Sequence, residues 1–397
     1  MLSRPASFAL AGVIGAATLT AASAPSPLYP VYQQLWGFSS FVLTLVFAVY
    51  VLALLLALLT VGSLSDRVGR RPVACGALLL LAVGMALFAL ADGTSWLVTA
   101  RIVQGLAVGA AAGTTTALIV EVSGSPTAGA VVSSSAPLLG IAVGSVLSGA
   151  LVEHAPFPRQ LVFWVLAAAY LVLAALVWTI PEPRRAPVSG SLVRSLLPRV
   201  GLPPATRGVF LALLPAMAAT WALGGLYLSL GSSVLGRLLG VGDHFGVGVV
   251  LGAFFLAGAL GTVGSIALPP APRAVLGYGT LLIGLLATIV AIESGLLGVY
   301  VAGSALAGLG FGATFRGVVS ELGAAAPAAQ RGEVFATMYV ASYLAFSVPA
   351  LVAGLAVDGW GLRTTVAAYA GLDVVLVLAA AAGTAARARA TQARQPA

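Results

Sequence analysis

Apolar residues run along the chain in stretches of about twenty, separated by short gaps that hold most of the charges. A helical stretch of that length crosses a hydrocarbon core about 30 Å thick. Lipid offers the peptide groups no hydrogen bonds, so each stretch must be a helix or part of a closed barrel. Barrel strands read as alternating segments of about ten residues. The stretches here are longer and do not alternate, so the pattern predicts helices. They fall at residues 8–28, 41–61, 73–91, 96–120, 130–152, 160–180, 208–230, 245–267, 274–292, 296–319, 332–356 and 363–384. The longest gap, 181–207, begins Pro181-Glu182-Pro183-Arg184-Arg185 and is dense in Pro and Gly, the composition of a linker. It separates an N-terminal six-span half (1–180) from a C-terminal one (208–384), and residues 385–397 form a tail.

The first span resembles a cleavable signal peptide, with Arg4, an apolar stretch and Ala22-Ser23-Ala24. Pro25 at the would-be cleavage point argues for a retained span.

Composition agrees with the pattern. Charged residues are only 8% of the chain, against about 25% in soluble domains, too few to cover a water-facing surface. The chain has no Lys and no Asn, as in proteins of GC-rich bacterial genomes, and its excess of positive charge comes from Arg. These Arg residues lie in short gaps, which points to membrane topology rather than nucleic acid. With the N-terminus inside, fourteen fall in cytoplasmic segments, and only Arg159, Arg237 and Arg363 fall outside. The asymmetry places both termini in the cytoplasm, and with the bacterial composition the expected location is a bacterial inner membrane. A lone cysteine, Cys75, excludes an intrachain disulfide and argues against a Cys-based metal site; no metal is expected.

The halves echo each other at an offset near 203 residues. Gly105-Leu106-Ala107-Val108-Gly109 corresponds to Gly308-Leu309-Gly310-Phe311-Gly312, and Ser148-Gly149 loosely to Ala353-Gly354. A repeated six-span half is a transporter architecture, with the substrate site near the midplane.

Between the second and third spans the chain reads Gly62-Ser63-Leu64-Ser65-Asp66-Arg67-Val68-Gly69-Arg70-Arg71-Pro72. This resembles the signature loop of the major facilitator superfamily, G-x-L-[AS]-D-[RK]-x-G-R-[RK], at every defining position. The resemblance implies an all-α membrane fold of twelve helices in two pseudo-symmetric halves, and no enzymatic activity. It also implies that the loop latches the cytoplasmic side, with Asp66 meeting the start of span 11 near Arg331. The alternative is a loop that only anchors topology by charge. The equivalent stretch of the second half, Leu268-Pro269-Pro270-Ala271-Pro272-Arg273, has lost the pattern.

Arg101-Ile102-Val103-Gln104-Gly105 resembles the R-x-x-Q-G motif associated with proton coupling in efflux members of the family. A cation inside a span is costly and should face protein or a water-filled cavity. The alternatives for Arg101 are bonding to backbone carbonyls or snorkelling outward. Gly105, Gly109 and Gly113 form a stripe at i+4 spacing suited to helix packing, as do Gly308 and Gly312. Gly140, Gly144 and Gly149 resemble the family's antiporter motif, with Ser145 and Ser148 as departures, and a packing seam is an equal reading. Asp373, in the twelfth span, is a proton-site candidate; the alternative is a neutral Asp373 bonded to Tyr369. Arg316 lies on the Gly308–Gly312 stripe near a span end, where snorkelling is available.

Tyr50, Trp221, Tyr227, Tyr339, Tyr343 and Phe346 are candidates to line an apolar cavity, with Thr18 and Ser26 as polar points. Pro25-Ser26-Pro27-Leu28-Tyr29-Pro30 should break the end of the first span. The expected function is proton-coupled export of small apolar or amphipathic compounds by alternating access. The expected partners are a small-molecule substrate, the proton and membrane lipid, for a monomer without a cofactor. Uptake symport of a small metabolite is the alternative, and a non-transporting membrane sensor or structural protein a more distant one. The two histidines, His154 and His244, lie in external gaps of different halves, and no H-E-x-x-H or P-loop occurs, so an enzyme is not expected.

Overall fold

The computed structural model describes residues 2–61, 64–182, 200–327 and 330–392. Gly62 and most of the 181–207 linker lie outside the described residues. Among the described residues the secondary structure is entirely helical, and twelve helices are long and apolar enough to cross a membrane. In order they are Arg4–Trp36, Ser40–Val61, Arg70–Ala89, Thr94–Val122, Pro126–His154, Leu161–Thr179, Pro204–Ser229, His244–Gly264, Pro270–Ser294, Leu297–Ala325, Arg331–Trp360 and Leu362–Arg387, called spans 1 to 12 below. Every expected span is present. Span 1 runs on to Trp36 because its proline-rich break, a 3₁₀ turn over Ser26–Leu28, leads into a further helix, Tyr29–Trp36.

The chain packs as two compact units that do not follow chain order. One comprises Met1–Pro198 with Leu228–Phe255, the other Arg199–Tyr227 with Leu256–Ala397. In the first unit, spans 2 and 4 approach at the glycine stripe: a Cβ on Gly105 would meet the carbonyl oxygen of Tyr50, and one on Gly109 that of Leu54. Span 5 lies against span 1 in the same way, Gly140 facing the Ala16 carbonyl and Gly144 that of Thr20. Gly149 faces His244 and Gly248 of span 8. Gly113 is half-buried on the same span as the stripe.

The second unit repeats the device. Gly312 of span 10 faces the carbonyl of Gly258 in span 8, as Gly109 faces Leu54 about 203 residues earlier. Gly308 is buried in span 10. The internal repeat is therefore a repeat of packing geometry as well as of letters. In a membrane, where apolar side chains gain little from leaving lipid, such close backbone approach supplies the dispersion contacts that hold helices together. Large apolar side chains such as Leu56, Val143, Leu171, Ile283 and Val352 remain exposed, as lipid-facing positions require.

Gly109→Ala pushes a methyl group into the Leu54 carbonyl and should cost about 1–3 kcal/mol. Gly76→Ala, whose Cβ meets nothing within 4 Å, should cost nothing. Thermal unfolding of the purified variants in detergent should lower the melting temperature of the first and leave the second at or above wild type.

Candidate functional site

The break in span 1 creates the first candidate site. Proline has no N–H, so Pro25 cannot bond the carbonyl of Ala21 one turn earlier, as helix continuation requires. Span 4 supplies the missing donors: Gln104 Nε2 donates to the Ala21 carbonyl, and Arg101 Nη1 donates to the Ala22 carbonyl at 3.1 Å. Arg101 Nη1 also donates to Gln104 Oε1 at 2.7 Å, and Nη2 donates to the Tyr29 hydroxyl. Ser148 of span 5 donates to the Ala24 carbonyl at 2.5 Å, and Ser23 to the Ile141 carbonyl at 2.7 Å.

Arg101 is fully buried. Its guanidinium carbon lies 5.5 Å from the Tyr29 ring centre, 5.2 Å from that of Tyr50 and 5.7 Å from that of Phe88, within the range of cation–π attraction. Its hydrogen-bond partners are all neutral. Snorkelling is thus corrected: the side chain bonds the broken end of span 1, because carbonyls freed by proline offer it better partners than the distant interface. Ser26 and Thr18, expected as polar points of a cavity, are internally bonded. Thr18 Oγ1 donates to its own helix at Ile14, and Ser26 Oγ donates to the Leu228 carbonyl at 3.0 Å. Tyr50 is buried beside Arg101.

The loop after span 2 is organised by Arg70. It pairs with Asp66 at 2.6 Å and with Glu121 of span 4 at 2.8 Å, and Nη1 donates to the Ser65 hydroxyl at 2.6 Å. The two nitrogens Nε and Nη2 reach both oxygens of Glu121, the bidentate geometry that makes an Arg–carboxylate pair strong. Gly69, at φ +116°, makes the turn into span 3, a conformation side chains rarely adopt. Glu182 accepts from the backbone N–H groups of Arg70 at 2.8 Å and Arg71 at 3.3 Å, capping the start of span 3. Arg67 belongs to the short helix Leu64–Val68 of this loop. Glu121 and Glu182 were not among the expected site residues. Their signal was scarcity: both are among the chain's eleven acids, and both stand at span ends on the Arg-rich side.

In the second unit five aromatic side chains meet. Trp221 makes edge contacts with Phe315 at 5.3 Å, Tyr343 at 4.8 Å and Phe346 at 5.7 Å, and Tyr339 stacks on Tyr343 at 6.2 Å. Trp221, Tyr339 and Tyr343 are half-buried, and the Trp221 indole N–H has no acceptor among the described residues. Phe315 is an addition to the expected set. Tyr227 is buried, its ring stacked on Tyr300 at 6.2 Å and its hydroxyl bonded to Ser304 at 2.6 Å.

Asp373 is fully buried, and neither carboxyl oxygen has a hydrogen-bond partner among the described residues. The expected bond from Tyr369 is not made: its hydroxyl donates to the Ala222 carbonyl of span 7 at 2.7 Å. Tyr369 is committed to holding span 12 on span 7, which leaves the carboxyl one turn away without a donor. Arg331, at the start of span 11, is exposed, and Arg316 is half-buried.

Twelve membrane-crossing helices, an internal packing repeat and a charge-braced loop after the second span define a multi-pass transporter. The chain belongs to the Major Facilitator Superfamily, whose family model matches residues 11–271. It is a transporter and not an enzyme. Among solved structures it is similar to a bacterial homolog of the human lysosomal transporter Spinster. Against the inward-facing, unoccupied conformation the TM-score is 0.75 at 13% identity, covering 96% of both chains. Against the inward-facing, occupied conformation it is 0.74 at 15% identity, covering 96% of this chain and 97% of that one. No curated protein matches this chain.

Arg101→Lys keeps the charge but cannot reach Ala22, Gln104 and Tyr29 together, because an ammonium lacks the planar fork. It should lose at least one charge-assisted bond, about 1.5–3 kcal/mol. Tyr29→Phe should cost less. Melting temperatures in detergent should rank wild type above Tyr29→Phe above Arg101→Lys.

Proposed function

We propose that this protein is a proton-coupled exporter of small apolar or amphipathic compounds in a bacterial cytoplasmic membrane. It works as a monomer by alternating access, with both termini in the cytoplasm. The orientation is supported by the arginine asymmetry and the positive-inside rule.

The observation that carries the cargo class is the half-buried aromatic group around Trp221. Aromatic faces bind apolar and aromatic molecules without a fixed charge, and one free indole N–H adds a single donor for orientation. The buried cation of the first unit offers nothing to an anionic substrate, since Arg101 is enclosed by Tyr29, Gln104 and a span-1 carbonyl. Its role in this reading is to couple the break in span 1 to span 4.

The proton site in this reading is Asp373. An ionised carboxylate buried without a donor costs several kcal/mol, and a proton removes that cost. Its occupancy then biases one state over the other by differential binding. The drive is sufficient: one proton moving down one pH unit and 100 mV releases roughly 3.7 kcal/mol, enough to hold a several-hundredfold gradient of a neutral compound. Asp66, braced by Arg70, serves the gating of the cytoplasmic side.

Proteoliposomes loaded with fluorescent aromatic amphiphiles and a pH-sensitive dye test this reading. An outward cargo gradient should acidify the lumen by antiport; alkalinisation would establish symport instead. Asp373→Asn should retain cargo counterflow but move no protons. Asp66→Asn should insert normally yet lose most counterflow.

A further inference from the structure

The 203-residue repeat sets Arg70 against Arg273, each at the cytoplasmic start of its span. Their surroundings differ. Arg70 holds Asp66 and Glu121, but the equivalent positions in the second half are Pro269 and Ala324, which cannot pair. Arg273 keeps one bond, from Nη2 to the Leu268 carbonyl at 3.3 Å, and its buried Nε has no partner among the described residues. The second half has kept the cation and lost its acids.

Beside Arg273 lies a small, open cleft, with spans 9 and 10 forming most of its wall. Arg273, Tyr278, Thr314 and Glu321 contribute its polar lining. Thr314 is 5% exposed, and its Oγ1 has no partner among the described residues. Glu321 is the one acid of the wall, and Arg387 already engages it at 3.3 Å. Arg316 lies within electrostatic reach of Arg273. The cleft therefore carries excess positive charge near the end of span 9 that bears Arg273, and a buried hydroxyl without a partner among the described residues.

We propose that this cleft is a binding site for the phosphate of an anionic phospholipid, with Arg273 and Thr314 as its ligands and Arg316 adding charge. The lipid phosphate occupies the place that Glu121 fills for Arg70 in the first half. A phosphodiester supplies the acceptors that Arg273 and Thr314 lack, and its acyl chains lie along the exposed apolar side chains of span 9, Val275, Leu276 and Ile283. Glu321, paired with Arg387, bounds the site and disfavours a second anion. The site does not depend on the direction or coupling of transport.

The test uses the full-length protein purified in neutral detergent, titrated with phosphatidylglycerol, phosphatidylcholine or inorganic phosphate. Lipid adducts are counted by native mass spectrometry, and melting temperature is followed in parallel. Wild type should retain phosphatidylglycerol at least tenfold more tightly than phosphatidylcholine, and lipid should raise its melting temperature. Arg273→Gln should lose that preference, whereas Arg389→Gln, an equal charge change at an exposed position, should keep it. Ala324→Glu provides a second reading that misfolding cannot imitate. Ala324 is exposed, so the new carboxylate should pair with Arg273, raise the melting temperature without lipid and weaken phosphatidylglycerol binding. Equal retention of both lipids by wild type, an unchanged preference in Arg273→Gln and Ala324→Glu, or protection by inorganic phosphate alone would each overturn the assignment.

Discussion

A peptide group in hydrocarbon has no water to bond, and the architecture of this protein follows from that fact. Twelve helices satisfy their own backbones, and the exception shows the rule at work. Where Pro25, Pro27 and Pro30 interrupt span 1, freed carbonyls are taken up by side chains from other spans: Gln104 at Ala21, Arg101 at Ala22, Ser148 at Ala24. A motif that reads as chemistry is thus first a repair of the backbone. Its polar atoms fix the angle at which the end of span 1 meets spans 4 and 5. Any movement of that end must break or carry along several buried bonds, so the network suits a transporter that switches between discrete arrangements.

Buried charge is managed in two ways. Arg101 is surrounded by acceptors and aromatic faces, which spread its charge over neutral neighbours. Asp373 has no hydrogen-bond partner among the described residues. The contrast separates a cation bonded into the packing of the first unit from an acid of the second unit that has no hydrogen-bond donor among the described residues. The same asymmetry appears at the span ends, where Arg70 is braced by two acids and its counterpart Arg273, among the described residues, by none. Duplicated halves keep a common packing geometry while their polar groups diverge.

The fold was legible in the sequence because hydrophobic length is a one-dimensional signal. All twelve spans could be placed, with ends within about six residues except for span 1, which runs eight residues further to Trp36, and the loop around Asp66 carried the family. Gly105 and Gly109 could be read as packing positions because i+4 spacing puts them on one face, and the 203-residue offset makes Gly312 the counterpart of Gly109. Partners were harder. Nothing in the local pattern tells that Tyr369 bonds Ala222 rather than Asp373, because that depends on how spans 12 and 7 are rotated against each other. Glu121 and Glu182 lie 51 and 112 residues from Arg70, a separation that no motif spans. The aromatic group was legible residue by residue except for Phe315, whose place beside Arg316 near a span end gives no sign that it turns toward Trp221.

The central claim, an even number of helical crossings with both ends of the chain on the Arg-rich side, is tested most directly by cysteine accessibility. Single cysteines placed at Asp66, His154, Asp243 and Arg389 in a Cys75→Ser background are labelled in intact cells with a membrane-impermeant maleimide, then again after permeabilisation. The account predicts that positions 154 and 243 react in intact cells, and that 66 and 389 react only after permeabilisation. Labelling of 66 or 389 in intact cells, or protection of 154 and 243, would contradict it.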